Sequence, residues 1–194
     1  MPATFVALIA YGVIARAPND SIDASLASGH PRRAPAFDLS VLERGEASGA
    51  SGAFTDGRLA LRELRGHPFL LNLWASWCEP CHLDMPLLAR TWAADRRHRV
   101  LFVGVDQQDV STDARAFLAH FRVRYPTIRD PGDDTARAYG ATGVPETFFV
   151  SASGRVVGHV IGAIDAEQLS AGMRAARLGR QVAAVRGGAR EDLP

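Results

Sequence analysis

Short apolar runs and amphipathic segments alternate along the chain. Continuous or alternating apolar runs predict strands, and apolar residues three or four positions apart predict helices. The predicted strands are 36–42, 58–61, 68–74, 99–105, 125–129, 147–150 and 156–161. The predicted helices are 80–96, 111–123 with Ser111 as N-cap, 133–139, and 165–178 capped by Asp165. This order predicts an α/β fold in which a mixed sheet of four or five strands is covered on both faces, and the last two strands form an antiparallel hairpin.

Both ends of the chain lack this alternation. The apolar run 3–15 carries no charge, is shorter than the about 20 residues of a spanning helix and fits a signal-peptide core. We expect residues 1–17 to be a signal peptide or a truncated membrane anchor, with a buried terminal strand or helix as the alternative. We expect 18–35 to be a linker, 36–178 the folded domain and 179–194 a flexible tail. The domain would then act outside the cytoplasm, in the periplasm or at the outer face of the cell membrane, anchored or secreted.

Composition and charge narrow the function classes. The chain has 194 residues, is 47% hydrophobic and carries a formal net charge of +1, which suits one domain with a buried core. Acidic and basic residues are interspersed, so the sequence predicts no surface for nucleic acid or for an anionic membrane. We expect the domain to be a monomer.

Both cysteines of the chain lie in the segment WCEPCH (77–82), between a predicted strand and a predicted helix. Two cysteines at this spacing and place are typical of a dithiol redox site that works through its own Cys78–Cys81 disulfide, without a cofactor. The helix N-terminus would lower the pKa of the Cys78 thiol from about 8.5 to roughly 3.5–7.5. Cys81 should be the more buried thiol. Pro80 fits the first helical turn, and we expect it to belong to the substrate-binding surface. Trp77 should shield the loop and offer an apolar patch to partner proteins.

Glu79 indicates the direction of the redox chemistry. A carboxylate between the two sulfurs disfavours a Cys78 thiolate and so destabilises the reduced form. Because about 30 mV corresponds to 1.4 kcal/mol for this couple, a modest field is enough to matter. We therefore predict a reductase of disulfides rather than a strong oxidant.

The same cysteines admit two other interpretations. The letters C-x-x-C-H, completed by His82, match the attachment motif of a c-type haem, although small cytochromes are largely helical. Cys78, Cys81 and His82 could also ligate zinc or copper with help from a distant histidine. The other histidines stand singly, and we expect most of them to be solvated; they are His30, His67, His98, His120 and His159.

Three segments together resemble the thioredoxin superfamily, and most closely its membrane-tethered TlpA, ResA and CcmG (DsbE) branch. They are LWASWCEPC (73–81), Met85-Pro86 and GVPETF (143–148). The resemblance covers about 36–178 and implies a thioredoxin-like three-layer α/β/α fold with a central mixed sheet and an N-terminal hairpin or strand extension. It also implies that the substrates are the haem-binding cysteines of apocytochrome c or other extracytoplasmic disulfides. The electrons would come from a membrane dithiol.

The resemblance assigns roles to individual residues. Cys78 matches the nucleophile and Cys81 the resolving thiol. Pro145 matches a cis proline that faces the cysteines, and the neighbouring backbone of Val144 would pair with substrate. From the residues alone an X–Pro bond is cis in only about 5–6% of cases, and Pro145 would be an ordinary strand-entry residue.

One departure concerns the proton of the buried thiol. Cytoplasmic thioredoxins carry a buried aspartate six residues before the first cysteine, and this chain has Asn72, which cannot accept a proton. The role would fall to Glu79, Glu146 or water. Glu146 resembles the CcmG pattern and is our preferred general acid/base, with a solvated glutamate at the strand end as the alternative.

Two further alternatives share the fold. A peroxiredoxin-type thiol peroxidase would carry T-x-x-C, whereas position 75 is Ala. A redox-inert adaptor would use the same surface only for binding, which the intact cysteine pair argues against.

Overall fold

The computed structural model describes residues 21–46, 56–95 and 99–193. Its helices are α1 (Ser21–Ala27), α2 (Cys81–Ala94), α3 (Ser111–His120), α4 (Asp134–Tyr139) and α5 (Ala166–Leu178), with a 3-10 turn at Leu61–Leu64. Its strands are β1 (Asp38–Glu43), β2 (Arg58–Ala60), β3 (Phe69–Trp74), β4 (Leu101–Gln107), β5 (Thr127–Asp130), β6 (Gly143–Val144), β7 (Glu146–Val150), β8 (Val156–Ile161), β9 (Val185–Arg186) and β10 (Glu191–Asp192).

One mixed sheet of eight strands organises the fold, in the order β9-β8-β7-β3-β4-β5-β1-β2. Strands β3, β4 and β5 run parallel, while β7 and β8 form the expected antiparallel hairpin beside β3. The N-terminal hairpin of β1 and β2 extends the sheet beyond β5, as the resemblance implied. The mixed α/β prediction is confirmed, but the sheet is larger than four or five strands because β1, β2 and the short β9 join it.

Helices pack on both faces of the sheet. Adjacent residues of a strand point to opposite faces, and Phe148 and Phe149 of β7 show this directly. The ring of Phe148 packs on Tyr139 of α4 at a centroid distance of 5.2 Å. The ring of Phe149 lies against Gly172 of α5, where a Cβ would meet it at 2.3 Å, so only glycine permits this close approach. The sheet is therefore the middle of three layers.

Strand β3 and helix α2 form the centre of the core. All six residues of β3 are buried. On α2 the residues Cys81, Met85, Leu88 and Trp92 recur at helical spacing and are also buried. Each fully buried Leu or Phe side chain contributes about 1.5–3 kcal/mol. The strand and the helix that flank the cysteine pair are thus firmly anchored in the core.

The structure corrects the prediction of a linker at 18–35. Residues 21–27 form α1, and Ile22 and Leu26 on one face of it are buried in the core. Arg33 then pairs with Arg155 in an isolated antiparallel bridge. This helix has only seven residues and therefore shows only one pair of apolar residues at helical spacing. Such a short pattern does not predict a helix.

The structure also differs from the prediction of a flexible tail at 179–194. Strand β9 pairs in parallel with β8, and β10 pairs antiparallel with β6. A smaller correction concerns α3, whose N-cap position is held by Val110 while Ser111 is its first residue. Residues 1–17 lie outside the described ranges. In the ranges that are described, no helix combines the length and apolar character needed to cross a bilayer.

Candidate active site

The cysteine pair lies where β3 gives way to α2. Strand β3 ends at Trp74 and α2 begins at Cys81, so Cys78 lies in the connecting loop just before the helix. The two sulfur atoms are bonded to each other at 2.00 Å. The backbone N–H of Cys81 donates a hydrogen bond to Cys78 Sγ at 3.1 Å. The same N–H also donates to the carbonyl of Cys78 at 3.1 Å. Because it lies in the first turn of the helix and faces the sulfur, it would also stabilise a Cys78 thiolate after reduction.

The disulfide is covered while its neighbour Trp77 is not. Cys78 and Cys81 are both 0% exposed, so the expectation that Cys81 is the deeper of the two is not met in this oxidised state. Trp77 is 39% exposed, and its Nε1 donates to the carbonyl of Gln108 at 3.3 Å. The indole therefore offers an apolar surface beside a buried disulfide.

Glu79 and Pro80 complete the loop between the cysteines. Pro80 occupies the N-cap position of α2 with helical backbone angles. Glu79 is exposed. Because solvent and salt screen an exposed carboxylate, its influence on the Cys78 thiolate is modest. The lowered reduction potential that Glu79 suggested stays a prediction.

An aspartate that the sequence did not single out holds the loop in place. Asp109 follows β4, and its carboxylate accepts the backbone N–H of Ser76 and, at 2.8 Å, the Ser76 hydroxyl. Arg129 of β5 donates in turn to the carbonyl of Asp109. The cysteine loop is thus tied to the carboxyl ends of two neighbouring strands. Its sequence signal was the position of Asp109 just after a buried parallel strand, where polar side chains gather at one sheet edge.

The Val144–Pro145 peptide bond is cis, as the resemblance implied. Val144 is fully buried, and the carbonyl of Pro145 accepts the N–H of Gly162 at 2.9 Å. Glu146, which follows, pairs with Leu73 across β7 and β3. This register places the proline beside the end of β3 from which the cysteine loop departs.

Glu146 is buried in a network of donors. It is only 1% exposed, so the alternative of a solvated strand-end residue is wrong. Its Oε1 accepts the backbone N–H groups of Thr142 and Gly143, both at 3.1 Å. Its Oε2 lies 2.9 Å from Nε2 of His159. The carboxylate thus fixes the backbone that leads into the cis proline.

His159 links this network to the N-terminal helix. It is 2% exposed and is therefore an exception to the expectation that most of the single histidines are solvated. Its ring stacks on Phe148 at 3.9 Å. Its Nδ1 lies 2.7 Å from a carboxylate oxygen of Asp23 on α1. Since carboxylates only accept, the imidazolium with a proton on each nitrogen satisfies both partners.

The charge of His159 follows from competing effects. Burial alone opposes the charged form, but the hydrogen bonds and charges of Asp23 and Glu146 outweigh it and hold the pKa of His159 above its ordinary value. The sequence signal was a histidine inside the apolar run of β8, a position where an unpaired polar side chain is costly. Sequence reasoning did not use it.

Asp84 is a second buried carboxyl, and sequence reasoning missed it. It lies one turn after Cys81 on the buried face of α2 and is 0% exposed. Its Oδ1 accepts the N–H of Ile164 at 2.7 Å, while Oδ2 has no hydrogen-bond partner among the residues that the structure describes. Burial raises the pKa of Asp84 to about 8. Asn72 offers no such group, because its amide donates to Thr147 at 3.1 Å.

The geometry bears on the haem and metal interpretations. His82 packs edge-on against the rings of Phe117 and Phe121, at centroid distances of 5.0 and 5.5 Å. The two sulfurs are joined to each other, and in the described part of the chain no three His, Cys, Asp or Glu side chains are grouped as metal ligands. His82 therefore serves as a packing residue of α2 in this structure.

A mixed sheet, a C-x-x-C at the start of a helix and a cis proline beside it define a thioredoxin-like protein. The AhpC/TSA family model matches residues 32–159, and the chain belongs to this family. It is 33% identical to the thiol:disulfide interchange protein HelX of Rhodobacter capsulatus over 68% of this chain and 67% of that protein. It is 27% identical to the thiol-disulfide oxidoreductase ResA of Bacillus thuringiensis over 58% of this chain and 65% of that protein.

A solved structure agrees with these relatives. The crystal structure of a thiol:disulfide interchange protein DsbE from Chlorobium tepidum, itself described as putative, superposes with a TM-score of 0.62 at 27% identity. The superposition covers 76% of this chain and 96% of that chain. The match to the curated ResA sequences spans about two thirds of their length.

Proposed function

We propose that the protein is an extracytoplasmic thiol-disulfide oxidoreductase that reduces protein disulfides through Cys78 and Cys81. The observation that carries the proposal is the Cys78–Cys81 disulfide at the N-terminus of α2, beside the cis Val144–Pro145 bond. The names of the similar proteins HelX and ResA support the same reaction class. The uncharged apolar run at 3–15 supports the location.

The reaction consists of two exchange steps that together move two electrons. The Cys78 thiolate attacks one sulfur of the substrate disulfide, which forms a mixed disulfide and releases the other substrate sulfur as a thiolate that takes up a proton. Cys81 then loses its proton and attacks Cys78 Sγ, which re-forms the Cys78–Cys81 disulfide and releases the second substrate thiolate. A dithiol donor, which we place in the membrane, reduces the pair for the next cycle.

Asp84 is our proposed acceptor for the Cys81 proton. It lies on the same buried face of α2, and its Oδ2 has no other partner in the described residues. A pKa raised to about 8 suits a group that takes up and releases a proton near neutral pH. Glu146, which sequence reasoning preferred, is occupied on both oxygens, so we propose it as a positioning residue for the cis proline.

The substrate surface combines an apolar patch with a backbone edge. Trp77 supplies the patch, and the backbone of Val144 beside Pro145 can pair with an extended segment of the substrate. A polypeptide disulfide fits both, and the haem-binding cysteines of apocytochrome c are our proposed substrate within that class. The apolar run at 3–15 would hold the domain at the membrane where its dithiol donor lies.

Trapping of mixed disulfides tests the proposal. The Cys81→Ser variant keeps the attacking thiol but cannot resolve the intermediate, so it should accumulate covalent complexes with protein substrates that a reductant releases. The matched Cys78→Ser variant should trap none. Trapping by Cys78→Ser alone would reverse the two roles. Rapid consumption of hydrogen peroxide without turnover of any protein disulfide would favour a peroxidase instead.

A further inference from the structure

The last residues of the chain lie across the candidate active site. We define the C-terminal strap as residues 187–193. Its strand β10 pairs antiparallel with β6, with Glu191 opposite Val144 and Asp192 opposite Gly143. The N–H of Leu193 donates to the carbonyl of Thr142. The backbone edge next to the cis proline is thus already occupied by the chain itself.

Backbone hydrogen bonds lead the strap to this edge. Gly187 donates to the carbonyl of Ile161 and Gly188 to that of Ala163, each at 2.7 Å, and Ala163 donates back to Ala189 at 2.8 Å. The approach is close. A Cβ on Gly162 would lie 2.4 Å from the carbonyl oxygen of Gly188, so only glycine leaves room there.

The same closeness recurs at the site itself. A Cβ on Gly143 would lie 2.3 Å from the carbonyl oxygen of Glu191. The strap therefore fits directly against the backbone of β6, and a side chain at Gly143 would exclude it.

Two side chains of the strap contact both halves of the site. The carboxylate of Glu191 accepts the backbone N–H of Glu79, the residue between the two cysteines, at 3.0 Å. Arg190 donates to the Thr142 hydroxyl at 2.8 Å and lies 3.6 Å from Glu146 Oε1. The strap bridges the cysteine loop and the proline loop, and Cys78 beneath this bridge is 0% exposed.

We propose that the C-terminal strap occupies the position of an extended substrate segment and must leave before a protein disulfide can reach Cys78. The inference rests on the proposed function, because it assigns the edge at Val144 to substrate. A strand-forming peptide would use the same backbone groups that Glu191 uses now. The strap is thus an intramolecular competitor of the substrate. The apparent affinity for substrate equals the intrinsic affinity multiplied by the fraction of molecules in which the strap is open.

The strap is built to open. Strand β10 has two residues, and both Glu191 and Asp192 are exposed. Leu193, which follows β10, is the apolar side chain at this end of the strap that packs against the core, and it is only partly buried. The backbone hydrogen bonds at Gly187, Gly188 and Ala189 hold the first half of the strap, whereas the second half has few of them and exposes its polar side chains, so it can open locally at small cost.

Proline substitutions in the full-length protein provide a matched test. In an antiparallel ladder the hydrogen-bonded pairs alternate, so the Leu193–Thr142 bond implies that Glu191 pairs inward and that the N–H of Asp192 points outward. Glu191→Pro removes the pairing and the contact to Glu79, whereas Asp192→Pro leaves the backbone pairing intact and removes the exposed Asp192 carboxylate that pairs with Arg190. Leu193→Pro removes the bond to Thr142 and the packing of the Leu193 side chain against the core. The assays are the reduction of insulin by the reduced protein and amide hydrogen exchange at Val144.

We expect Glu191→Pro to raise kcat/KM for insulin about fivefold, the factor that one backbone hydrogen bond contributes to an equilibrium, and Leu193→Pro to act in the same direction. Val144 should exchange faster in both variants. Asp192→Pro, which loses an exposed ion pair of small worth, should change both readouts much less than Glu191→Pro. An unchanged or lower rate with Glu191→Pro, despite faster exchange at Val144, would overturn the inference while leaving the proposed function in place. Unchanged exchange would overturn it as well.

Failure of the proposed function gives a different pattern. If none of the proteins reduces insulin or any other protein disulfide, the assignment of the reaction is wrong. The exchange at Val144 then still reports whether the strap closes the edge of β6.

Discussion

Asp84 on the cysteine side and Glu146 on the proline side are both buried carboxyls, and they differ in how their oxygens are hydrogen-bonded. Asp84, beneath the cysteines, receives one backbone hydrogen bond and keeps one oxygen without a described partner. Glu146, beside the cis proline, receives two backbone hydrogen bonds and faces His159 and Arg190. An under-solvated carboxyl holds its proton and can exchange it, whereas a fully bonded carboxylate is a fixed structural charge.

Removal of Glu146 should give the largest effect on stability. Glu146→Ala leaves the imidazolium of His159 with one partner and two backbone N–H groups with none. We expect the free energy of unfolding to fall by about 3–5 kcal/mol, as for other broken buried charge pairs. Urea denaturation at pH 7 measures this change. The matched variant Glu167→Ala removes an exposed glutamate of α5 and should cost less than about 0.5 kcal/mol. Similar losses for the two variants would contradict the role of Glu146 as a fixed structural charge.

Replacement of Asp84 should raise the free energy of unfolding at pH 7, whereas replacement of Glu146 should lower it. Its folded pKa of about 8 lies above the unfolded value, so the stability it contributes is complete below about pH 4 and is lost as the pH rises through about 8. Asp84→Asn avoids this loss and keeps an oxygen for the N–H of Ile164. We expect a gain of about 2–4 kcal/mol at pH 7 that vanishes near pH 4. Urea midpoints at both pH values measure it, and a loss at pH 7 would contradict the assignment of an under-solvated carboxyl.

Asp84→Asn also tests whether Asp84 accepts the proton of Cys81. Only the ionised carboxylate can accept the Cys81 proton, so the rate of the resolving step should rise as the pH approaches about 8. Asp84→Asn should slow that step about tenfold to a hundredfold and flatten the rise. Stopped-flow fluorescence of the neighbouring tryptophans can follow it. Glu146→Gln is the control, because a positioning residue should leave the shape of the pH profile unchanged.

The two sides also differ in how far the sequence predicts them. The cysteine chemistry is local, since β3, the C-x-x-C and α2 follow one another, and periodicity alone predicts that order. The proline side is assembled from distant segments, and the contact between Asp23 and His159 spans 136 positions. Asp23 lies in a segment too short to show periodicity, so neither the helix nor its contact could be predicted.

Burial, more than residue type, separates what was predicted from what was missed. Glu146 was found by its motif, but its donors come from the turn before it and from β8. Asp84 was not found, although it stands among the buried residues of α2 at helical spacing from Cys81. A carboxyl on an otherwise apolar helix face is the sequence signal that would have revealed it.

His159 should give a smaller, pH-dependent effect. Its folded pKa is raised, so the stability that it contributes is complete below its unfolded pKa of about 6.5 and is lost as the pH rises through the folded value. We expect unfolding free energies to decline over that range, and His159→Gln to reduce the decline. Burial also raises the pKa of Asp106 to about 7 and that of Asp133 to about 6, so these two carboxyls contribute a decline of their own. Measurement in the Asp84→Asn background excludes the separate decline that Asp84 causes. An equal decline with and without His159→Gln in that background would assign it to the carboxyls rather than to His159.

Asp23 should give the smallest effect, because its side chain is 38% exposed and solvent weakens its pairing with His159. Asp23→Asn keeps an oxygen near Nδ1 and removes only the charge. We expect a loss of about 0.5–1 kcal/mol near pH 6, where His159 is charged, and less above the folded pKa of His159. Ser28→Ala, which lies just after α1 and away from His159, is the control. A loss that is equal at all pH values would show that Asp23 supports α1 rather than the charge of His159, and the proline side would then rest on Glu146 alone.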